Sequence, residues 1–200
     1  FNGGDISLVF SDENQNQRSL KNIKSKSLLS QLDFGFDRIQ ILGISGNLAR
    51  GDFLLKYEGA NISGASFLKA NLVDLPGLKK NQNVLGLGFD YSGINNLTIG
   101  YEGNLRIINN YSDDLTIAKQ TLGHSVQFRW TGLNDLLSIN ANLSRLTGEK
   151  STIASLVTSY KPRDGLTLFA RYVQYDALEI TDTLYPYKKQ DVIMLSSEYS

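Results

Sequence analysis

The stretch NNLTIGYEGNLRIINN, residues 95–110, alternates between two kinds of side chain along most of its length. One set is apolar and the other is polar or charged: Leu97, Ile99, Tyr101, Leu105 and Ile107 against Thr98, Glu102, Asn104 and Arg106. Because successive side chains of a strand point to opposite faces, the pattern predicts a β-strand with one apolar face. A soluble sheet buries such a face in a core, whereas a membrane barrel turns it toward lipid.

The same alternation recurs in ten segments, and helical periodicity is nearly absent. The segments are 4–12, 37–49, 51–63, 82–93, 96–109, 117–132, 135–147, 151–162, 165–178 and 189–200. For residues 19–32 we weigh a short helix against a polar loop and favour the loop. Residues 65–81 are irregular and are interrupted by Pro76 and Gly77. The sequence therefore predicts an all-β, antiparallel fold in one domain spanning residues 1–200.

The composition excludes several classes of function. The chain of 200 residues carries 20 basic and 20 acidic residues, so its bulk charge does not indicate a nucleic-acid partner. It has no cysteine, and its one histidine, His124, falls on the face predicted to be apolar in its strand. We therefore expect no catalytic residue, metal or cofactor, and we expect that the protein is not an enzyme.

The connections between the segments have two sizes. Tight turns are predicted at 49–52, 92–96, 131–135 and 161–165, and they alternate with longer links at 13–36, 63–82, 109–116 and 179–188 and a short one at 147–151. Outer-membrane barrels show this asymmetry, and their strands are about 9–11 residues long, as most of these segments are. The sequence contains no run of about 18 apolar residues, so it predicts no transmembrane helix. The pattern favours an up-and-down transmembrane β-barrel of about ten strands, alone or as part of a larger barrel.

The barrel hypothesis assigns each face a role. The polar side chains of the alternating pattern would line the lumen: Lys56, Glu58, Asp90, Glu102, Arg106, Arg129, Arg171 and Glu198. The apolar side chains of the pattern include aromatic residues expected to contact lipid or the membrane interface: Tyr91, Tyr101, Phe128, Trp130, Tyr172 and Tyr199. Segments 37–49 and 151–162 alternate less cleanly, which predicts either a partly packed interior or a bulge that switches register.

Three interpretations stay open at this point. An open barrel would pass small or hydrophobic solutes through a polar lumen. A plugged barrel would have a structural or surface-binding role without transport, because small barrels are filled by their own side chains. A soluble two-sheet sandwich acting as a binding module would bury the apolar face of each strand in a core.

Short motifs resemble one known family. The segments RIQILGISGNLARGDFLLKYEGA (38–60), GLGFDYSGINNLTIGYEGN (86–104) and SSEYS (196–200) carry them. The first two resemble hairpins, and the third the closing EYSF, of a family of bacterial outer-membrane barrels catalogued as a domain of unknown function. The resemblance covers roughly residues 38–60 and 82–200 and corresponds to the C-terminal part of longer members. The closing phenylalanine of the family lies beyond Ser200, so we expect the natural chain to continue into it.

The resemblance implies a location and a role. It implies the outer membrane of a Gram-negative bacterium, with outer-membrane lipid as the surrounding medium. Some members are linked to RND-type exporters and periplasmic lipid-carrier-like proteins that handle hydrophobic compounds. The resemblance thus implies transport, with periplasmic or inner-membrane exporter components as partners, and it supplies no catalytic residues.

Overall fold

Ten long strands form one antiparallel sheet in a computed structural model that describes residues 2–16, 19–23, 32–69, 77–147, 150–179, 182 and 184–199. The strands are β1 (Asn2–Asn14), β2 (Ser19–Ile23), β3 (Leu32–Gly35), β4 (Arg38–Arg50), β5 (Phe53–Phe67), β6 (Leu78–Ile94), β7 (Leu97–Ile108), β8 (Gln120–Gly132), β9 (Leu137–Leu146), β10 (Ser151–Arg163), β11 (Leu166–Ala177) and β12 (Val192–Tyr199). In the large sheet β1 pairs with β4, and each later strand pairs with the next one along the chain. The prediction of ten antiparallel up-and-down strands is confirmed.

The first long connection differs from its prediction. Strands β2 and β3 pair with each other as a separate two-stranded sheet, so the ends of segment 19–32 are extended rather than helical or irregular. Residues 24–31 lie outside the described part of the chain. The ends of the segment predicted to be irregular at 65–81 belong to strands, because β5 continues to Phe67 and β6 begins at Leu78, while residues 70–76 lie outside the described part of the chain.

All four predicted tight turns are present at one end of the sheet. Gly51 and Gly165 adopt φ values of 60° and 76° there, a region in which a missing Cβ removes the steric penalty. Asn96 closes the β6–β7 hairpin at φ 61°, which asparagine tolerates better than most residues. The strand ends that the longer connections join lie at the opposite end of the sheet, which we call the long-loop end.

Polar contacts hold the connections of the long-loop end to one another. The backbone amide of Ser66 donates to Gln15 Oε1 at 3.0 Å, which joins the β1 and β5 ends. Asp37 is buried and forms an ion pair with Lys79 at 3.1 Å. In the β11–β12 connection the buried carboxylate of Asp182 accepts backbone hydrogen bonds, including one from Glu179 at 2.8 Å. A short 3₁₀ helix, Tyr185–Tyr187, lies in the same connection.

The pairing register assigns every strand residue to a face. Directly opposed residues of antiparallel strands share a face, and residues two apart along a strand share it too. Register shifts occur between Ile62 and Ala65, between Tyr91 and Ile94 and between Tyr160 and Arg163. The bulge considered for segment 151–162 is thus found at its end. Segment 37–49 pairs without a shift and instead places Ile39 and Ile41 on the polar face, with Ile39 buried.

The sheet is a single layer with little core. Within the described part of the chain only six hydrophobic residues are buried: Ile39, Ala65, Ile108, Leu115, Val173 and Ala177. In contrast, 33 large hydrophobic side chains of the described residues are exposed. The ten long strands share one sheet, so the two facing sheets of the sandwich alternative are not formed. No described helix is long and apolar enough to cross a membrane.

The sheet has two free edges and is not closed into a barrel. Strands β1 and β12 end the strand order and have no pairing with each other. A row of directly opposed residues that starts at Val192 crosses all ten strands and reaches β1 at Gly3. Strand β12 is therefore displaced along the strand direction relative to β1. Closure of the sheet stays a prediction.

Candidate functional site

Long polar side chains alternate with glycines across the middle of the polar face. Glu58 of β5 lies opposite Gly86 of β6, and a Cβ on Gly86 would fall 2.5 Å from Glu58 Cγ. Asp90 covers Gly100 of β7 in the same way, with Oδ1 2.7 Å from the position of an added Cβ. The charged side chains can lie flat against the sheet because the neighbouring position has no side chain.

Gly88 allows two charges to meet across an intervening strand. Lys56, Gly88 and Glu102 stand in one row on β5, β6 and β7, so Lys56 and Glu102 are two strand spacings, about 9.5 Å, apart at the backbone. Nevertheless Lys56 Nζ lies 3.2 Å from Glu102 Oε1 and 2.9 Å from Asp90 Oδ2. Three of the eight residues predicted to line a lumen are thus brought into one ion-pair cluster.

The cluster carries excess negative charge. Lys56 contributes one positive charge, whereas Asp90, Glu102 and the nearby Glu58 contribute three negative ones, which leaves a net charge of −2. Glu58 is exposed and has no hydrogen-bond or ion-pair partner among the described residues. Lys56, Glu58 and Glu102 line a hollow of about 160 Å³ together with Gly86, Gly88 and Asn104.

The remaining predicted lumen residues lie on the same face but apart from the cluster. Arg106 donates from Nη2 to Thr121 Oγ1 at 2.9 Å, while its buried Nε has no partner. Arg129 donates from Nε to Asn140 Oδ1 at 3.1 Å. Arg171 and Glu198 are exposed on β11 and β12 without a polar partner among the described residues.

The opposite face carries apolar side chains on each of the ten long strands, and all six aromatic residues predicted to meet lipid or its interface lie on it. Tyr91, Phe128 and Tyr172 stand in one row near the tight-turn end, with Trp130 one row further toward that end. Tyr101 differs because it lies in mid-strand, where its hydroxyl is 2.6 Å from His124 Nδ1. The Tyr101 hydroxyl and the His124 ring satisfy each other there.

Polar groups end the apolar face at the long-loop side. Asn61 Nδ2 donates to Asn83 Oδ1 at 2.7 Å, and Asn83 Nδ2 donates to Asn109 Oδ1 at 3.2 Å. On the first two strands Arg38 Nε donates to Asp12 Oδ1 at 2.5 Å on the same face. The apolar surface is therefore a band with a polar border rather than an unlimited patch.

The polar face also contains an apolar area that the sequence analysis did not single out as a site. Its hollow of about 270 Å³, which we call the inner hollow, spans β1, β4, β5 and β6. The side chains and glycine that form its apolar wall are Val9, Ile41, Gly43, Ala60, Ile62 and Val84. The signal of this area in the sequence was the imperfect alternation of segment 37–49, where Ile39 and Ile41 occupy positions expected to be polar.

Two loop contacts outside the strands respond to pH. The Ser112 hydroxyl donates to Asp114 and lowers the pKa of that carboxyl below its ordinary value, so this contact stabilises at higher pH and is lost as the pH falls through the lowered pKa. Glu179 accepts a hydrogen bond from Lys150 and raises the pKa of the ammonium group. That contact is complete below the ordinary pKa of lysine and is lost as the pH rises through the raised one. In the described residues no group of three or more His, Asp or Glu could hold a metal ion.

Gly88→Ala should destabilise the sheet more than a glycine replacement on the other face. An added Cβ at Gly88 would fall 3.1 Å from Glu102 Cγ and 3.2 Å from the Tyr101 carbonyl oxygen, whereas at Gly59 it would meet only Leu85 and Ile44 at 3.5 Å or more. We expect Gly88→Ala to lower the free energy of unfolding by about 1–2 kcal/mol relative to Gly59→Ala, as measured by urea unfolding in detergent. The difference should shrink in a Glu102→Ala background; equal stability of the two glycine variants would contradict the close fit over Gly88.

The chain matches no protein-family model, no curated protein and no solved structure. The resemblance to the outer-membrane family therefore stays a prediction.

Proposed function

We propose that the chain forms all or part of an outer-membrane β-barrel that passes, or helps export, small or hydrophobic solutes. The apolar face would meet lipid, the polar face would line the lumen, and the free edges of β1 and β12 would be paired. The observation that carries this proposal is the single ten-stranded sheet with one exposed apolar face and one polar face.

The size of the apolar face supports lipid rather than water as its surroundings. Soluble monomers rarely expose contiguous apolar patches larger than a few hundred Å². Here the exposed side chains run from β1 to β12, with Leu8, Leu87 and Leu195 exposed by 78%, 64% and 76%. Hydrocarbon would cover this surface without requiring a second protein layer.

The height of the apolar band also fits a bilayer. From Leu97 to Ile107 strand β7 advances ten residues, or about 33 Å along its axis. With the tilt of about 40° usual in outer-membrane barrels, this length corresponds to about 25 Å along the membrane normal. That is the height of the apolar band in known barrels of this class.

The polar face has the small side chains that the inside of a curved sheet requires. All six serines of β8, β9 and β10 lie on it: Ser125, Ser138, Ser144, Ser151, Ser155 and Ser159. Side chains converge on the concave side of a sheet, so small residues are favoured there. This distribution supports the polar face as the interior.

The ion-pair cluster favours a second candidate, a plugged barrel without transport. Lys56 contacts both Asp90 and Glu102 across three strands, and these side chains would occupy part of a narrow lumen. If the edges pair with further strands instead of with each other, the lumen is wider and the same charges line a passage.

Two measurements test the proposal. The purified protein in SDS should migrate differently before and after boiling, and it should give steady conductance steps in a planar bilayer. A protein that shows no heat shift and stays monomeric without detergent would not be a membrane barrel. A heat shift without conductance would favour the plugged barrel.

The resemblance adds exporter components of the periplasm or inner membrane as proposed partners. Co-purification of detergent-extracted barrel with such components would support this part of the proposal. Its failure would leave the membrane location and the pore untouched, because those rest on the two faces of the sheet.

A further inference from the structure

The inner hollow is a concave apolar area on the face that carries the charged residues. Six wall positions contribute side chains without polar atoms or no side chain at all, and the adjoining Ile39 is buried. A face that only conducted ions or water would not require this apolar area. Its volume of about 270 Å³ lies just below the range of ordinary small-molecule sites.

Glu58 places an unneutralised carboxylate at the border of the inner hollow. This residue lines both the inner hollow and the smaller hollow over the ion-pair cluster. It has no partner among the described residues, and the nearest lysine, Lys56, is already shared by Asp90 and Glu102. A ligand in the hollow would therefore meet negative charge.

Arg106, which lies opposite Val84 on the neighbouring strand, does not reverse this field because it does not line the hollow. Its side chain donates to Thr121 on the strand beyond. An anionic ligand would face Glu58, and a sugar would find one neutral hydrogen-bonding side chain, Ser45, among the described residues that line the hollow. Charge complementarity thus selects a cationic group joined to an apolar body.

We propose that the inner hollow binds small amphipathic cations, with the apolar body against Ile41, Ile62 and Val84 and the amine beside Glu58. This inference deepens the proposed function, because it names the class of solute that the polar face would receive.

Isoleucine methyl NMR of the detergent-solubilised full chain can test the site with three probes of equal length: hexylammonium, hexanol and hexanoate. Ile41 and Ile62 report on the hollow, and Ile99 on the opposite face reports on partition into detergent. Hexylammonium should shift the Ile41 and Ile62 signals saturably and should bind more tightly than hexanol, with hexanoate weakest.

Two variants separate the charge from the apolar wall. Glu58→Gln should weaken hexylammonium binding about fivefold and leave hexanol unchanged, since an exposed carboxylate–ammonium pair contributes modestly. Val84→Thr adds a hydroxyl to the wall at constant shape and should weaken all three probes. Glu58 has no partner to lose, so Glu58→Gln is expected to fold like the parent chain.

Three results would overturn the proposal: equal affinity for the three probes, tightest binding of hexanoate, or shifts confined to Ile99. Unchanged hexylammonium binding in Glu58→Gln would overturn the role of that carboxylate. These results are distinct from failure of the proposed function, because binding is read without a bilayer or an open pore. A chain that binds hexylammonium but gives no conductance retains the site and loses only the transport role.

Discussion

Leu87→Arg should block assembly of the protein into a membrane, while Asn104→Arg should leave assembly intact. Leu87 is 64% exposed in the middle of β6, on the apolar face. Its directly opposed residue on β7 is Gly103, and the next residue, Asn104, points to the polar face. The two substitutions therefore place the same charge at nearly the same level of the sheet, on opposite faces.

The expected difference follows from the cost of charge in hydrocarbon. An arginine on the lipid face of a barrel costs about 2–4 kcal/mol near the bilayer midplane, whereas one inside a watery lumen stays solvated. Heat-dependent migration in SDS after refolding into liposomes measures the assembled fraction, and urea unfolding of that fraction measures stability. Both readouts should separate the two variants clearly.

The same pair distinguishes a sheet in water from one in lipid. On a water-facing surface an exposed leucine accepts arginine with little loss, and its replacement often improves solubility. Equal tolerance of Leu87→Arg and Asn104→Arg would therefore contradict the lipid-facing assignment. Failure of Asn104→Arg alone would indicate that the polar face is the one that is covered.

A cysteine placed at Ser11 should form a disulfide with a cysteine at Met194, Ser196 or Glu198 if β1 and β12 close the sheet. All four positions lie on the polar face, and the 200 residues contain no cysteine to interfere. The sheet has ten strands, and neighbouring strands are antiparallel. The first strand, β1, and the last, β12, therefore run in opposite directions.

The displacement of β12 decides which pairs can meet. If the row of opposed residues closed on itself without any shift along the strands, Val192 would fall opposite Gly3. Most of β12 would then lie beyond the start of β1. A closed barrel staggers its strands by an amount comparable with their number, as in the eight-stranded barrel with a shear of eight. Staggers of about 10, 12 and 14 residues bring residues 194, 196 and 198, respectively, opposite Ser11.

Non-reducing electrophoresis of the three double variants gives the answer. One pair should form an intramolecular disulfide in high yield, and Phe10→Cys with Ser196→Cys should not, because those side chains lie on opposite faces. Disulfides only between chains would show that the edges pair between copies. No disulfide in any variant would show that β1 and β12 are not neighbours, and strands outside these 200 residues would then be needed for closure.

The strands and faces were predictable because each strand carries its own periodic signal. Leu97 to Ile107 reveal one face of β7 without knowledge of any neighbour, and glycine-rich turns separate successive strands. The extended ends of segment 19–32 were not predicted, since β2 and β3 are short and lack clear alternation.

The contacts of the polar face could not be predicted in the same way. The bridge from Lys56 to Glu102 depends on the position of Gly88 between them, which is a property of the register of three strands. The inner hollow combines residues of β1, β4, β5 and β6 that no local motif links. Periodicity assigns a residue to a face, but it does not identify its neighbours on that face.

The glycine beneath Lys56 and Glu102 has a consequence for how the sheet finds its alignment during assembly. Sliding β6 by two residues keeps every side chain on its proper face, so amphipathicity alone cannot reject the shifted arrangement. Such a slide in one direction would replace Gly88 by Asp90 between the two partners, and the bridge would be obstructed by a side chain. Gly88 thus disfavours one of the two nearest shifted alignments, which the two-residue repeat alone cannot do.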